Sequence, residues 1–141
     1  MNRFALALSL ILFFNLSTIA QDNRTSNDTS AVRTTVTNYI EGYFTGDVPR
    51  MERTLHPHYL KHVIHGVVPM REMTAPEMMR NVRREGAPDM PAASKTEQVT
   101  VLDVAGDMAS VKLVTPGWTD YMTLSKVKGE WKILSVVQRI D

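Results

Sequence analysis

Residues 96–140 read TEQVTVLDVAGDMASVKLVTPGWTDYMTLSKVKGEWKILSVVQRI, and the punctuation of this stretch decides the fold. Thr96–Val104 is a long β-rich run that Gly106-Asp107 closes with a turn. Met108–Thr115 then alternates, with Ala109, Val111 and Leu113 on one face. Pro116-Gly117 breaks it, Trp118–Val127 resumes, and Lys128-Gly129 is a tight turn into Glu130–Ile140. Extended runs joined by two-residue turns imply three or four antiparallel strands.

Upstream the apolar spacing changes to three and four. Val32, Val36, Tyr39, Ile40 and Tyr43 form one helical stripe, with Asp28, Thr29 or Ser30 to cap it and Gly46 to end it. Asp47-Val48-Pro49 starts a second, short helix in which Met51 and Leu55 share a face, and Pro57 stops it. Residues 58–73 read as irregular, with short strands around Leu60–Ile64 and Val67–Met70. Thr74-Ala75-Pro76-Glu77 has capping-box spacing and opens a third helix, which turns Met78, Met79 and Val82 inward and ends at Gly86. Ala87–Ser94 is a loop. Three helices followed by a strand half give an α+β domain over residues 30–141, its helices against one sheet face and no internal repeat.

Residues 1–20, MNRFALALSLILFFNLSTIA, have the layout of a secretory signal peptide: Arg3, an apolar run from Phe4 to Leu16, and Thr18-Ile19-Ala20 before a cut. The run is too short for a spanning helix, so no membrane association is expected after cleavage. Gln21–Thr29 contains no apolar residue and reads as a flexible leader. Of 141 residues 16 are Lys or Arg and 15 Asp or Glu, a balance unsuited to electrostatic nucleic-acid binding. The chain has no cysteine, which removes disulfides, thiol catalysis and iron–sulfur clusters.

Several landmarks then combine: Tyr39-Ile40-Glu41-Gly42-Tyr43-Phe44-Thr45-Gly46-Asp47, Arg50-Met51-Glu52, His56-Pro57, Val101-Leu102-Asp103-Val104, and Trp118-Thr119-Asp120-Tyr121 through Lys128-Gly129-Glu130-Trp131-Lys132-Ile133. Over residues 30–140 this resembles the putative lumazine-binding family, within the nuclear transport factor 2-like superfamily that also holds ketosteroid isomerases and polyketide cyclases. The resemblance implies a cone-shaped fold, three helices packed in the concavity of a curved antiparallel sheet, a pocket at the open end, and homodimers through the sheet. His58, His62 and His65 depart from the family pattern.

His56, His58, His62 and His65 fall within ten residues. Imidazoles ligate zinc, copper and nickel, and 58, 62 and 65 would share a helical face, but Pro57 and Gly66 oppose a helix there. Rim histidines explain the cluster as well, and no metal ligand is assigned. His56 is either a general base beside the pocket or the cap of its helix. Asp120 is either an inward carboxyl of raised pKa or, if Tyr121 points to the core, a solvated one. Tyr39 and Tyr43 can offer hydroxyls to a ligand or bury their rings, and Trp118 can stack on a flat heterocycle. Met70 heads a group with Met73, Met78 and Met79 that suits an adaptable pocket or an irregular core.

Two functions of different class follow. One is an exported small-molecule-binding domain with a conical, mostly apolar pocket for a flat heterocyclic or aromatic ligand, drawing on Tyr39, Tyr43, His56, Met70 and Trp118. The other is a proton-transfer enzyme, an isomerase, cyclase or dehydratase, with His56 as base and Asp120 with Tyr43 holding the oxyanion. It requires His56 and Asp120 to converge. A dimerisation domain with a vestigial pocket is a third reading. No cofactor motif is present, and none is expected.

Overall fold

The computed structural model describes residues 4–66, 70–85 and 89–141, with side chains from Arg24 onward except that of Glu85. Among the described residues no helix is long and apolar enough to cross a membrane. Helix α1 (Phe4–Thr45) runs unbroken through residues 21–29, where a flexible leader was expected, and so none of Asp28, Thr29 or Ser30 caps it. Asp28 has a tertiary task instead. Its carboxylate takes an ion pair from Lys126 at 2.6 Å and a hydrogen bond from Trp131 Nε1 at 3.2 Å. Lys126 also lies 5.0 Å from the centre of the Trp131 ring. These partners lie a hundred residues away in sequence, which is why local composition did not disclose them.

Gly46 ends α1 in the left-handed region at φ 70°, as a helix-terminating glycine does. Helix α2 (Val48–Glu52) follows, with the Asp47 carboxylate accepting from Arg50 N at 3.0 Å. Gly42 allows α1 and α2 to touch: a Cβ there would meet Met51 N at 3.0 Å and Met51 Cβ at 3.1 Å.

Two strands come before the third helix, so the chain is not a helical half followed by a strand half. Strand β1 (Leu55–Ile64) includes His56 and Pro57, while α2 has already ended at Glu52. His56 therefore caps no helix. Strand β2 (Arg71–Thr74) pairs with β1; of the expected strand Val67–Met70, residues 67–69 lie outside the described residues and Met70 precedes β2. Thr74 then donates from N and Oγ1 to Glu77 Oε2 at 2.7 and 2.6 Å, opening α3 (Ala75–Glu85). The expected helix end at Gly86 lies outside the described residues.

Strands β3 (Gln98–Ala105), β4 (Met108–Thr115), β5 (Trp118–Val127) and β6 (Glu130–Ile140) form the meander that the turns at 106–107, 116–117 and 128–129 call for. The sheet order is β2-β1-β6-β5-β4-β3. Its β1–β6 pairing is parallel, which corrects the all-antiparallel expectation. The chain between those strands is long enough for the crossover that parallel neighbours require. Register shifts between Leu55 and Leu60, Val101 and Asp103, and Thr123 and Leu124 are irregularities of the kind that bends strands and suits a curved sheet. The core unites Val32, Val36 and Ile40 of α1, Met51 of α2, Met78, Met79 and Val82 of α3, and Val111, Leu113, Leu124, Ile133 and Val136 of the sheet.

Candidate functional site

Beside this core lies a cavity of about 220 Å3. Helix α1 supplies Tyr39, Ile40 and Tyr43, which its four-residue spacing puts on one face; α3 supplies Met78 and Asn81. The sheet adds Lys61 from β1, Arg71 and Met73 from β2, Trp118 and Asp120 from β5, and Gln138 and Ile140 from β6. The lining is therefore mixed, not mostly apolar. Trp118 meets Tyr43 edge to face, ring centres 5.8 Å apart, and forms an aromatic wall with Phe44 behind it.

Asp120 is fully buried, and neither of its carboxylate oxygens has a hydrogen-bond partner. Its counter-charge is Lys61, 4% exposed, whose Nζ stands 3.7 Å from Asp120 Oδ2. Lys61 Nζ also donates to the Tyr39 hydroxyl at 3.2 Å, which in turn lies 3.3 Å from the Tyr59 hydroxyl. Burial pushes the Asp120 carboxyl up, opposed by the Lys61 charge. Burial likewise pushes the Lys61 ammonium down, opposed by Asp120. Both tyrosines are raised, chiefly by burial, and remain hydroxyl donors. Asn81 Oδ1 is a third buried oxygen on this cavity without a hydrogen-bond partner. Three such acceptor oxygens beside an amine and a buried phenol make a site able to receive donors from, and give them to, a small polar molecule.

Tyr39, Tyr43, Trp118 and Asp120 thus share the cavity. His56 and Met70 do not line it. Met70 is 54% exposed. The Nδ1 of His56 accepts from the backbone N of His58 at 2.9 Å, and His56 does not converge with Asp120. His62 pairs with Glu72 at 3.3 Å, and among the described residues no three His, Asp or Glu side chains gather as a metal-holding group.

Sequence reasoning missed Lys61, Arg71, Asn81 and Gln138. Lys61 had a signal, since it falls within the expected strand Leu60–Ile64 and shares strand parity with the apolar Tyr59 and Val63. Asp120 had one too. With Pro116-Gly117 as a two-residue hairpin loop, Thr115 pairs with Trp118 and Leu113 with Asp120, and residues opposite one another share a face. Asp120 therefore follows Leu113 into the core, and Tyr121 is 54% exposed.

The fold is that of nuclear transport factor 2-like proteins. It matches a nuclear transport factor 2-like protein of unknown function from Silicibacter pomeroyi DSS-3 with TM-score 0.67 at 20% identity, over 83% of this chain and 98% of that one. A protein of the same description from Shewanella baltica OS155 matches with TM-score 0.66 at 16% identity, covering 80% and 93%. A ketosteroid isomerase-like protein from Erwinia carotovora atroseptica matches with TM-score 0.54 at 10% identity, covering 79% and 94%. No curated protein matches the chain. The family model described as "Putative lumazine-binding" matches residues 27–138, and the chain belongs to that family.

Proposed function

We propose that this chain is an exported small-molecule-binding domain whose cavity holds a compact, flat heterocycle by its polar edge. The observation that carries this reading is Asp120, a fully buried carboxylate on a cavity whose oxygens take no well-formed hydrogen bond and have the Lys61 ammonium, 3.7 Å from Oδ2, as counter-charge. A heterocycle with adjacent N–H and C=O groups complements it: Asp120 accepts from the N–H, while Lys61 donates to the C=O. Trp118 and Tyr43 offer the ring faces and edges against which a planar body packs. A volume near 220 Å3 lies below the range of drug-sized pockets, which favours a ligand of one or two rings.

The helices sit on the concave side of the sheet in this reading, supported by the core they share with the inward residues of β4, β5 and β6. Cleavage after Ala20 would leave α1 starting at Gln21, with Asp28 and its partners intact. The exposed Tyr121 and Val137, paired across β5 and β6, offer an apolar patch for a second copy of the chain.

A thermal-shift panel of pteridinediones, flavins and purine-like heterocycles tests the binding. Ligand at 100 times its dissociation constant stabilises by ~2.7 kcal/mol, a shift of several degrees. Asp120→Leu, which keeps the branching at Cγ and removes both acceptors, abolishes the shift. A shift that survives this substitution would place the ligand elsewhere.

A proton-transfer reaction is the second reading, favoured by the same raised Asp120 carboxyl, with Tyr39 and Lys61 as donors to a developing oxyanion. His56 has no part in it. Deuterium exchange into a cyclic ketone, lost in Asp120→Asn, would establish turnover.

A further inference from the structure

A lysine with its amine on a cavity is a nucleophile as well as a donor. Lys61 is the one lysine on this cavity, and its Nζ lies beside both a carboxyl, Asp120 at 3.7 Å, and a phenol, Tyr39 at 3.2 Å. That trio is what imine formation requires: an amine to add to a carbonyl carbon, an acid to expel its oxygen, and a donor to hold the oxygen meanwhile. Arg71 lines the same cavity from β2, and a neighbouring hollow between β2 and α3 is lined by Arg71, Arg80 and Arg84 together with Glu72 and Glu77. Three guanidinium groups against two carboxylates leave that hollow with a net positive charge, and Arg71 is the member that also reaches the cavity.

We propose that Lys61 captures small carbonyl compounds bearing a carboxylate as a Schiff base, with Asp120 as proton donor and Arg71 holding the substrate's acidic group. This is an activity beyond heterocycle binding, and it rests only on the reading that small molecules enter the cavity. The Lys61 amine, uncharged, adds to the carbonyl carbon and forms the C–N bond. The carbonyl oxygen leaves as water, taking one proton from the amine and one from the Asp120 carboxyl. The product is an iminium ion beside the Asp120 carboxylate, so a neutral pair becomes an ion pair and no oxidant or reductant is consumed. The burial that lowers the ammonium and raises the carboxyl favours the uncharged partners with which the step begins.

The test is reductive trapping. The purified protein is incubated with 4-carboxybenzaldehyde and cyanoborohydride, and labelled peptides are mapped by mass spectrometry. Lys61 should carry the mass of the aldehyde less one oxygen before any of the five other lysines. Benzaldehyde, which lacks the carboxylate, should label Lys61 about ten-fold more slowly, and Arg71→Gln should close that gap. Lys61→Arg and Lys61→Met, each checked for a cooperative melt, should take no label there, while the slow background on surface lysines is unchanged. Equal labelling of all lysines, or an unlabelled Lys61, overturns the proposal. If the same aldehyde without reductant still raises the melting temperature, the cavity reading survives that failure. If neither the aldehyde nor any heterocycle shifts it, both readings fail.

Discussion

Lys61 and Asp120 meet across a strand that separates them. Both β1 and β5 are neighbours of β6, where Lys61 is opposite Val136 and Asp120 opposite Gln138. Strands two apart are about 9–10 Å distant. The four-carbon stem of Lys61 crosses that gap, and its Nζ arrives 3.7 Å from Asp120 Oδ2. The pair therefore ties the β1–β2 edge to the meander through side chains, on the face that lines the cavity.

Removing one partner should cost more than removing both. Lys61→Met leaves Asp120 as a lone buried acid and should destabilise by ~3 kcal/mol at pH 8. With its pKa raised by burial, Asp120 binds its proton more tightly folded than unfolded, so the variant regains stability as pH falls through that raised value. Lys61→Met with Asp120→Leu should be at least as stable as the parent and lose this pH dependence. Urea denaturation between pH 5 and pH 8 checks both, and a single variant indifferent to pH would refute the account.

Asp28 should matter to stability although it lies far from the cavity. Asp28→Ala removes the Lys126 ion pair and the acceptor of Trp131 Nε1, at a cost of ~1–2 kcal/mol. The hydrogen bond from Lys126 holds the Asp28 carboxyl below its ordinary value. The stabilisation is thus complete above the usual carboxylate range near pH 4 and fades as pH falls through the lowered value. The parent and Asp28→Ala should accordingly converge in acid, as chemical denaturation followed by circular dichroism would show.

Gly42→Ala should loosen the α1–α2 contact. The added methyl group would stand 3.0 Å from Met51 N and 3.1 Å from Met51 Cβ, inside van der Waals contact, and either helix must give way at a cost of ~1–3 kcal/mol. Tyr43 is the next residue, so the displacement reaches the aromatic wall. Ligand affinity should fall together with melting temperature, whereas Tyr121→Ser on the exposed face should leave both affinity and cavity unaltered.

The two tryptophans should report separately. Trp118 lines the cavity, while Trp131 is held by Asp28 and Lys126. An entering heterocycle should quench Trp118 alone. Trp131→Phe should retain the quenching and Trp118→Phe should lose most of it; the reverse pattern in a fluorescence titration would move the ligand away from the cavity to the Asp28–Trp131 end of the sheet.

How much of this was legible in the sequence differs along the chain. The meander, the Asp47 and Thr74 caps and the inward Met78, Met79 and Val82 came directly from local patterns, because turn chemistry and capping act over three or four residues. Strand β1 was legible only in its second half, as the short strand around Leu60–Ile64, since Pro57 and the histidines masked its first half. The parallel β1–β6 pairing and the Asp28 contacts depend on residues far apart in sequence, which periodicity cannot see. Within the site, the aromatic residues were found because large rings stand out, and His56 was overvalued for its chemistry. The Lys61–Asp120 pair was missed because a charged residue at a buried position conflicts with the rule that assigns faces by hydrophobicity.

The position of β6 also sets the order in which the molecule can be completed. β6 joins two pieces, the β1–β2 hairpin and the β3–β5 ladder, and it is the last strand in chain order. Until residues 130–140 emerge, the hairpin formed some seventy residues earlier has no edge on which to close. Pairings of such sequence separation are slow to form. The β1–β2 pair can therefore join the rest of the sheet only once β6 is in place, which makes β6 the keystone of the sheet.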